Sequence, residues 1–136
     1  MARFEVVQTV RAFLAENWTE CPIEEENEGF STPKDGSPFV MVQYPFSTSE
    51  RITFGSPGAN TYRETGAFLI TVNVPRGKGT DRGREWADRL ADLFRGKAFG
   101  HLRIQAPDSA PTDNRNETGN YFRLSFAVPY RFDYLG

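Results

Sequence analysis

Between Tyr121 and Tyr134 large and small side chains alternate without a break. Phe122, Leu124, Phe126, Val128, Tyr130, Phe132 and Tyr134 hold the even positions, and Arg123, Ser125, Ala127, Arg131 and Asp133 stand among the odd ones. A period of two is the mark of a β-strand with one dry and one wet face. At ~3.3 Å per residue the run would extend roughly 46 Å, more than twice an ordinary strand. The pattern therefore predicts a strand that bends or projects from its domain. Pro129, which cannot donate to a ladder, marks the expected place.

The other elements emerge from the same kind of reading. Residues 2–17 predict an amphipathic helix, with Phe4, Val7, Leu14 and Trp18 on one stripe and Val6, Val10 and Phe13 widening it. An arc of about half the circumference predicts two covered surfaces, the sheet below and, beside it, a second helix in preference to another subunit. Cys21-Pro22-Ile23 is compatible with a short strand, and Glu24-Glu25-Glu26-Asn27-Glu28 reads as a solvated acidic loop. Phe39 to Phe46 predicts a strand with Val40, Val42, Tyr44 and Phe46 inward, Ser47 to Glu50 a turn, and Arg51 to Phe54 a return strand. After the breaker cluster Gly55-Ser56-Pro57-Gly58, a long strand from Thr61 to Pro75 places Tyr62, Phe68, Ile70, Val72 and Val74 on one face. Gly66 is its expected bulge.

A second helix is predicted from Asp81 to about Lys97, with Thr80 or Asp81 as N-cap and Gly96 as its stop. Trp86, Leu90, Leu93 and Phe94 form its apolar stripe, and Glu85 and Arg89 are spaced for an i,i+4 ion pair. His101 to Gln105 alternates with Leu102 and Ile104 inward, and Ala106 to Gly119 is a polar connection. The order lacks a βαβ repeat. It predicts one α+β domain over residues 1–136, a mostly antiparallel sheet with long strands and two amphipathic helices packed on one face.

Composition narrows the function classes. Twelve Phe residues point to an aromatic core, and a net charge of −2 with both signs interspersed gives no footprint for nucleic acid. The single Cys21 excludes an internal disulfide framework and is compatible with a reducing compartment. No apolar run approaches the ~20 residues of a membrane span. Met1-Ala2-Arg3-Phe4 lacks the apolar region of a signal peptide, which suggests assembly in the cytoplasm.

Candidate chemistry is sparse. Arg76-Gly77-Lys78-Gly79-Thr80 links a strand to a helix, where backbone N–H groups can hold phosphate, but it lacks the Walker spacing. A small phosphate or ligand site there is the alternative function. The single His101 and single Cys21 could form a nucleophilic pair only if the fold joined them, and no acidic partner is written near either. The expectation is no enzyme, no metal and no cofactor.

Several stretches together resemble a known family. They are Pro38-Phe39-Val40-Met41-Val42, Phe68 to Pro75, the glycine-rich link into Glu85-Trp86-Ala87-Asp88-Arg89-Leu90-Ala91-Asp92-Leu93-Phe94, and the closing Tyr121 to Phe132. With the short first helix, they are similar to the tail terminator (tail completion) proteins of long-tailed bacteriophages and tail-like particles. Other head–tail neck and connector proteins share this size and element order. The resemblance implies a structural virion protein that forms a hexameric ring on the tail tube. Its partners would be the major tail protein and a head-completion or neck protein, with DNA passing through the lumen without specific binding. For the subunit or tail-tube contact, the aromatic and arginine residues beside the breaker cluster are the candidates: Arg51, Phe54, Tyr62 and Arg63.

Overall fold

The computed structural model describes residues 2–25, 37–75, 77, 81–108 and 121–136. Two helices, α1 (Phe4–Asn17) and α2 (Asp81–Phe94), accompany six strands. The strands are β1 (Ile23–Glu24), β2 (Phe39–Arg51), β3 (Thr61–Pro75), β4 (Ala98–Phe99), β5 (Leu102–Ile104) and β6 (Tyr121–Leu135). They form one sheet in the order β1-β2-β3-β6-β5-β4, antiparallel except where β1 runs parallel to β2. This is the α+β architecture that the patterning predicts.

The two longest strands pair with each other over their whole length, from Thr61 opposite Leu135 to Pro75 opposite Tyr121, without a shift of register. Matched parity puts the apolar residues of both on one face. Phe68, Ile70, Val72, Leu124, Phe126, Val128 and Tyr130 are all buried there, under Val6, Val10 and Leu14 of α1 and Leu90 and Phe94 of α2. Burial of this apolar set is the main term holding helices to sheet.

The predicted second cover for α1 is α2. Phe13 packs on Phe94 with ring centroids 5.1 Å apart, and Trp18 meets Trp86 edge-on at 5.5 Å. Leu93 is only half-buried, while Ala87 joins the dry side. Arg89 reaches from α2 to Glu20 at 3.3 Å and lies over the Trp18 ring, so the pair with Glu85 is replaced by a bridge to the segment that follows α1. Gly96, at φ 68°, stops α2 in the left-handed conformation that glycine adopts without strain.

Several expectations are corrected. Pro129 does not end its strand, and it pairs with Ala67 without a shift of register. Its carbonyl accepts from Gln105 N–H at 2.9 Å beyond the end of β5, and the N–H it lacks would have faced the same residue, so the proline costs the ladder one bond at the strand's periphery. The irregularity of the sheet lies not at Gly66 but on β2, between Gln43 and Phe46. Two residues there, Tyr44 and Pro45, oppose Phe68 alone, which is a β-bulge. An extra residue reverses the parity of every later position on the strand. Phe46 therefore turns to the wet face, 60% exposed, instead of joining Val40, Val42 and Tyr44.

Nor do Ser47 to Glu50 turn the chain. They continue β2 to Arg51, each paired with β3, and residues 52–54 form no strand. The turn falls later, across residues 52–60. At the amino-terminal end, Phe4 is 72% exposed rather than part of the buried stripe, because the buried line of α1 runs through Val6, Val10 and Leu14 and Phe4 lies off it. Glu25 is buried, unlike the solvated loop expected of its segment, while Glu26 to Glu28 lie outside the described residues. The same holds for Thr80 as a possible N-cap, for most of the glycine-rich link, and for residues 109–120.

Candidate functional site

Beyond the bulge the sheet leaves its helical cover. Thr48 to Ala59 are exposed throughout, and β2, β3 and the end of β6 continue as a three-stranded arm. Its tip is tied by short-range hydrogen bonds. Asn60, buried, accepts through Oδ1 from Ser56 N–H and Thr53 Oγ1, both at 3.3 Å, while Thr53 Oγ1 accepts from Thr61 N–H at 2.7 Å. The backbones of Asn60 and Gly136 exchange two hydrogen bonds, at 2.9 and 3.1 Å, which ties the loop to the end of β6. The side chain of one asparagine thus organises a loop built of Gly, Ser and Pro.

All four candidate contact residues lie on this arm, though not on one patch. Arg51 ends β2 opposite Tyr62, and its guanidinium lies 5.2 Å from the centre of the Phe54 ring. Phe54 is 80% exposed at the tip. Tyr62 stacks on Tyr134, which stacks on Phe132 in turn, and the Arg3 guanidinium sits 3.9 Å above the Tyr134 ring. Arg63, as the next residue on the strand, projects from the opposite face. It grips Asp133 with two hydrogen bonds of 2.9 and 3.2 Å. Those bonds hold the Asp133 carboxyl below the usual carboxylate range, helped by the positive charge of Arg63, Arg131 and His101 nearby.

Where the arm joins the body, a carboxylate is buried that the sequence pattern did not single out. Glu64 is 1% exposed, on the dry face of β3 between Tyr62 and Phe68. Its Oε2 accepts from Tyr130 Oη at 2.6 Å and from the Arg3 backbone N–H at 3.3 Å, at the start of α1. Burial, then the adjacent carboxylate, pushes the Tyr130 phenol well above its ordinary value, so it remains a donor across the neutral range. Gly66 makes room for the crossing. A Cβ there would stand 2.7 Å from the Phe46 carbonyl oxygen and 2.9 Å from Tyr130 Oη. The available signal was a carboxylate on the apolar parity of an alternating strand, a few residues before a phenylalanine-led run.

Also missed as a group were the exposed large apolar residues. Phe46, Ile52, Phe54 and Leu135 lie on the arm or at its root, and Phe4 opens the helix whose first residues touch it. Ile52 donates its N–H to the Thr61 carbonyl, and Thr61 is opposite Leu135, so Ile52 and Leu135 flank one residue of β3.

The two residues with reactive potential are separated. Cys21 accepts a hydrogen bond from Trp18 Nε1 at the carboxy-terminal end of α1. His101 shares a shallow pocket with Glu5, near the other end of that helix. The intervening helix spans roughly 20 Å, so no nucleophilic pair forms. Burial pushes the Cys21 thiol up, away from the reactive thiolate. Among the described residues no three His, Cys, Asp or Glu side chains gather as a metal site.

A family model described as phage tail terminator protein matches residues 5–130. No curated protein matches the chain. One solved structure is 17% identical, covers 93% of this chain and 94% of its own, and superposes with a TM-score of 0.57. At that identity the likeness shows the fold alone.

Proposed function

We propose, for a chain that belongs to the phage tail terminator family and so to the structural proteins of the phage tail, that it ends the tail tube as a ring. Copies assemble on the tube in the host cytoplasm, six to a ring as the family resemblance implies. The ring stops addition of the major tail protein and presents a surface to the head-completion or neck protein. DNA passes through the lumen without specific binding, as suits a chain of net charge −2.

One observation carries this reading. The arm exposes Arg51, Phe54 and Leu135 around an internally tied loop, and a projection rich in aromatic and arginine side chains is suited to dock on a different surface of the next subunit. Such a head-to-tail contact closes into a ring when its rotation allows.

The test is tube length. Added to polymerising major tail protein, the wild type should halt growth, with tubes ending in a ring by electron microscopy. The double variant Arg51→Glu, Arg63→Glu should leave tubes growing while remaining folded by circular dichroism, its melting curve lowered only by loss of the Arg63–Asp133 bridge. Tubes that grow on past wild-type protein would overturn the terminator reading. A double variant that caps normally would remove the arm as the contact.

A further inference from the structure

Arg3 occupies a position that a helix does not favour for it. It is the N-cap of α1, and its side chain makes no capping hydrogen bond. Ser, Thr, Asp and Asn are the residues whose short side chains satisfy the free N–H groups of a first turn. A cation there also faces the positive end of the helix dipole. The helix would gain from any of those four in place of Arg3, so local propensity does not account for this residue.

Its contacts lead to the arm instead. The guanidinium sits 3.9 Å from the centre of the Tyr134 ring, well inside the ~6 Å reach of a cation–π contact. Arg3 is exposed, so attraction to the ring rather than confinement holds the group there. Tyr134 is stacked on Tyr62 across the strands and on Phe132 along its own. The Arg3 backbone N–H donates to Glu64 at the root of the arm, at 3.3 Å. Its carbonyl oxygen accepts from the N–H groups of Val6 and Val7, at 3.0 and 3.2 Å, and so begins the helix. Ala2 on one side of Arg3 and Val6 on the other are buried in the core of the body. One residue, anchored to the body from both flanks, thus reaches the arm by two separate groups.

We propose that Arg3 is a latch that fixes the posture of the arm against the body. When it is closed, the cation on Tyr134 and the N–H on Glu64 brace the arm on the lead-in of α1. When it is open, the arm keeps its own ladder and tied tip but loses the brace, and it moves at the junction formed by the Tyr44–Pro45 bulge and Gly66. Arg3 is then a positioning residue for whatever the arm touches, and displacement of a single exposed side chain changes that posture. The device lies within one chain and does not depend on how copies assemble.

The experiment is amide hydrogen exchange, followed by NMR, on the full-length protein. The arm is read at Asn60, Tyr62, Tyr134 and Gly136, which pair across β3 and β6, and the body at Val10, Ile70 and Phe126. Arg3→Ser removes the cation and supplies a favoured cap in one step. It should speed exchange at the arm amides by at least about threefold, the scale of a lost cation–π contact. The body amides should stay as slow as in wild type or become slower, because α1 gains a cap. Opposite effects in the two regions are not expected of a residue that merely supports the fold. Arg3→Lys, which keeps a cation on a long stem, should fall nearer to wild type than to Arg3→Ser. In a Tyr134→Leu background, Arg3→Ser should add nothing at the arm, because the ring it acts through is gone. Arm amides that exchange at the wild-type rate in Arg3→Ser would overturn the proposal. So would an equal acceleration of arm and body, an Arg3→Lys variant no better than Arg3→Ser, or an undiminished effect of Arg3→Ser without the Tyr134 ring.

Discussion

The same three strands build two unlike regions. In the body, β2, β3 and β6 present Val40, Val42, Phe68, Ile70, Leu124 and Phe126 to two helices, and every one of these is buried. In the arm, the continuations of those strands keep their ladder but lose the cover, and Arg51, Tyr62, Arg63, Asp133 and Leu135 take the corresponding places. Backbone pairing alone therefore does not distinguish core from projection. What changes is the side-chain set, and it changes at a junction made of the Tyr44–Pro45 bulge, Gly66 and the Glu64–Tyr130 hydrogen bond. The body is stabilised chiefly by apolar burial, which has no direction. The arm depends on stacked rings, a bidentate ion pair and a tied loop, which are directional and singly weak. A region of that kind contributes little to global stability and can be specialised for contact.

The largest effect should come from the body. Leu90 is fully buried between α2 and the sheet, so Leu90→Ala should cost about 2–5 kcal/mol in urea unfolding. A neutral Leu90→Ala would mean that α2 does not seal the sheet, and the contrast between the two regions would lose its basis.

The junction comes next. Tyr130→Phe removes one of the two donors to a buried carboxylate, for which about 1–3 kcal/mol is the scale of an unsatisfied buried group. The same variant should alter the alkaline limb. A phenol whose folded value lies above its unfolded value of about 10 contributes stability in full below pH ~10 and loses it as the pH rises further. Wild type should lose stability above pH 10 more steeply than Tyr130→Phe; equal slopes would show that the Tyr130 environment does not differ between the two states.

The body was more legible in the sequence than the arm, for physical reasons. Alternation from Tyr121 to Tyr134 and from Phe68 to Val74 exposes parity directly, and parity fixes which face is dry. A bulge leaves a weaker trace. Pro45 inside a strand was the clue, and the placement of Phe46 inherited the error of missing it. Ser47-Thr48-Ser49-Glu50 has the composition of a turn because an exposed edge strand, having no core to face, can use the same polar residues. The four contact candidates could be placed on a projection from their residue types. That Tyr62 and Arg63 face opposite ways follows from parity, but the side on which Arg51 joins them depends on the shifted register of β2. Glu64 was legible only as an anomaly, because its two donors come from residues far away in the chain.

Phe54→Ala should change global stability by less than about 0.5 kcal/mol, as surface substitutions usually do. It should nonetheless impair tube capping. A stability loss as large as that of Leu90→Ala would place Phe54 in a cooperative core and erase the distinction between arm and body.

The smallest effect should be the acid dependence of the arm. Asp133 is held by Arg63 in its charged form, with a folded value below its unfolded value of about 3.9. A depressed carboxylate contributes stability in full above the unfolded value and loses it as the pH falls through the folded one. The Arg63–Asp133 bridge should therefore be intact at neutral pH and lost only under conditions more acidic than pH ~4. Asp133→Asn removes the titrating group, and its unfolding curve should be less sensitive to pH in that acidic window and parallel to wild type above it. The pair is partly exposed, with side-chain exposures of 31% and 28%, so salt should shrink the difference. Hydrogen exchange at the Tyr62, Arg63 and Asp133 amides would localise the change better than a global melt, because local opening of the arm need not involve the body. Faster exchange in Asp133→Asn confined to these amides would sharpen the contrast. Faster exchange throughout the body would show that the ion pair supports the whole sheet, and that arm and body unfold as one unit.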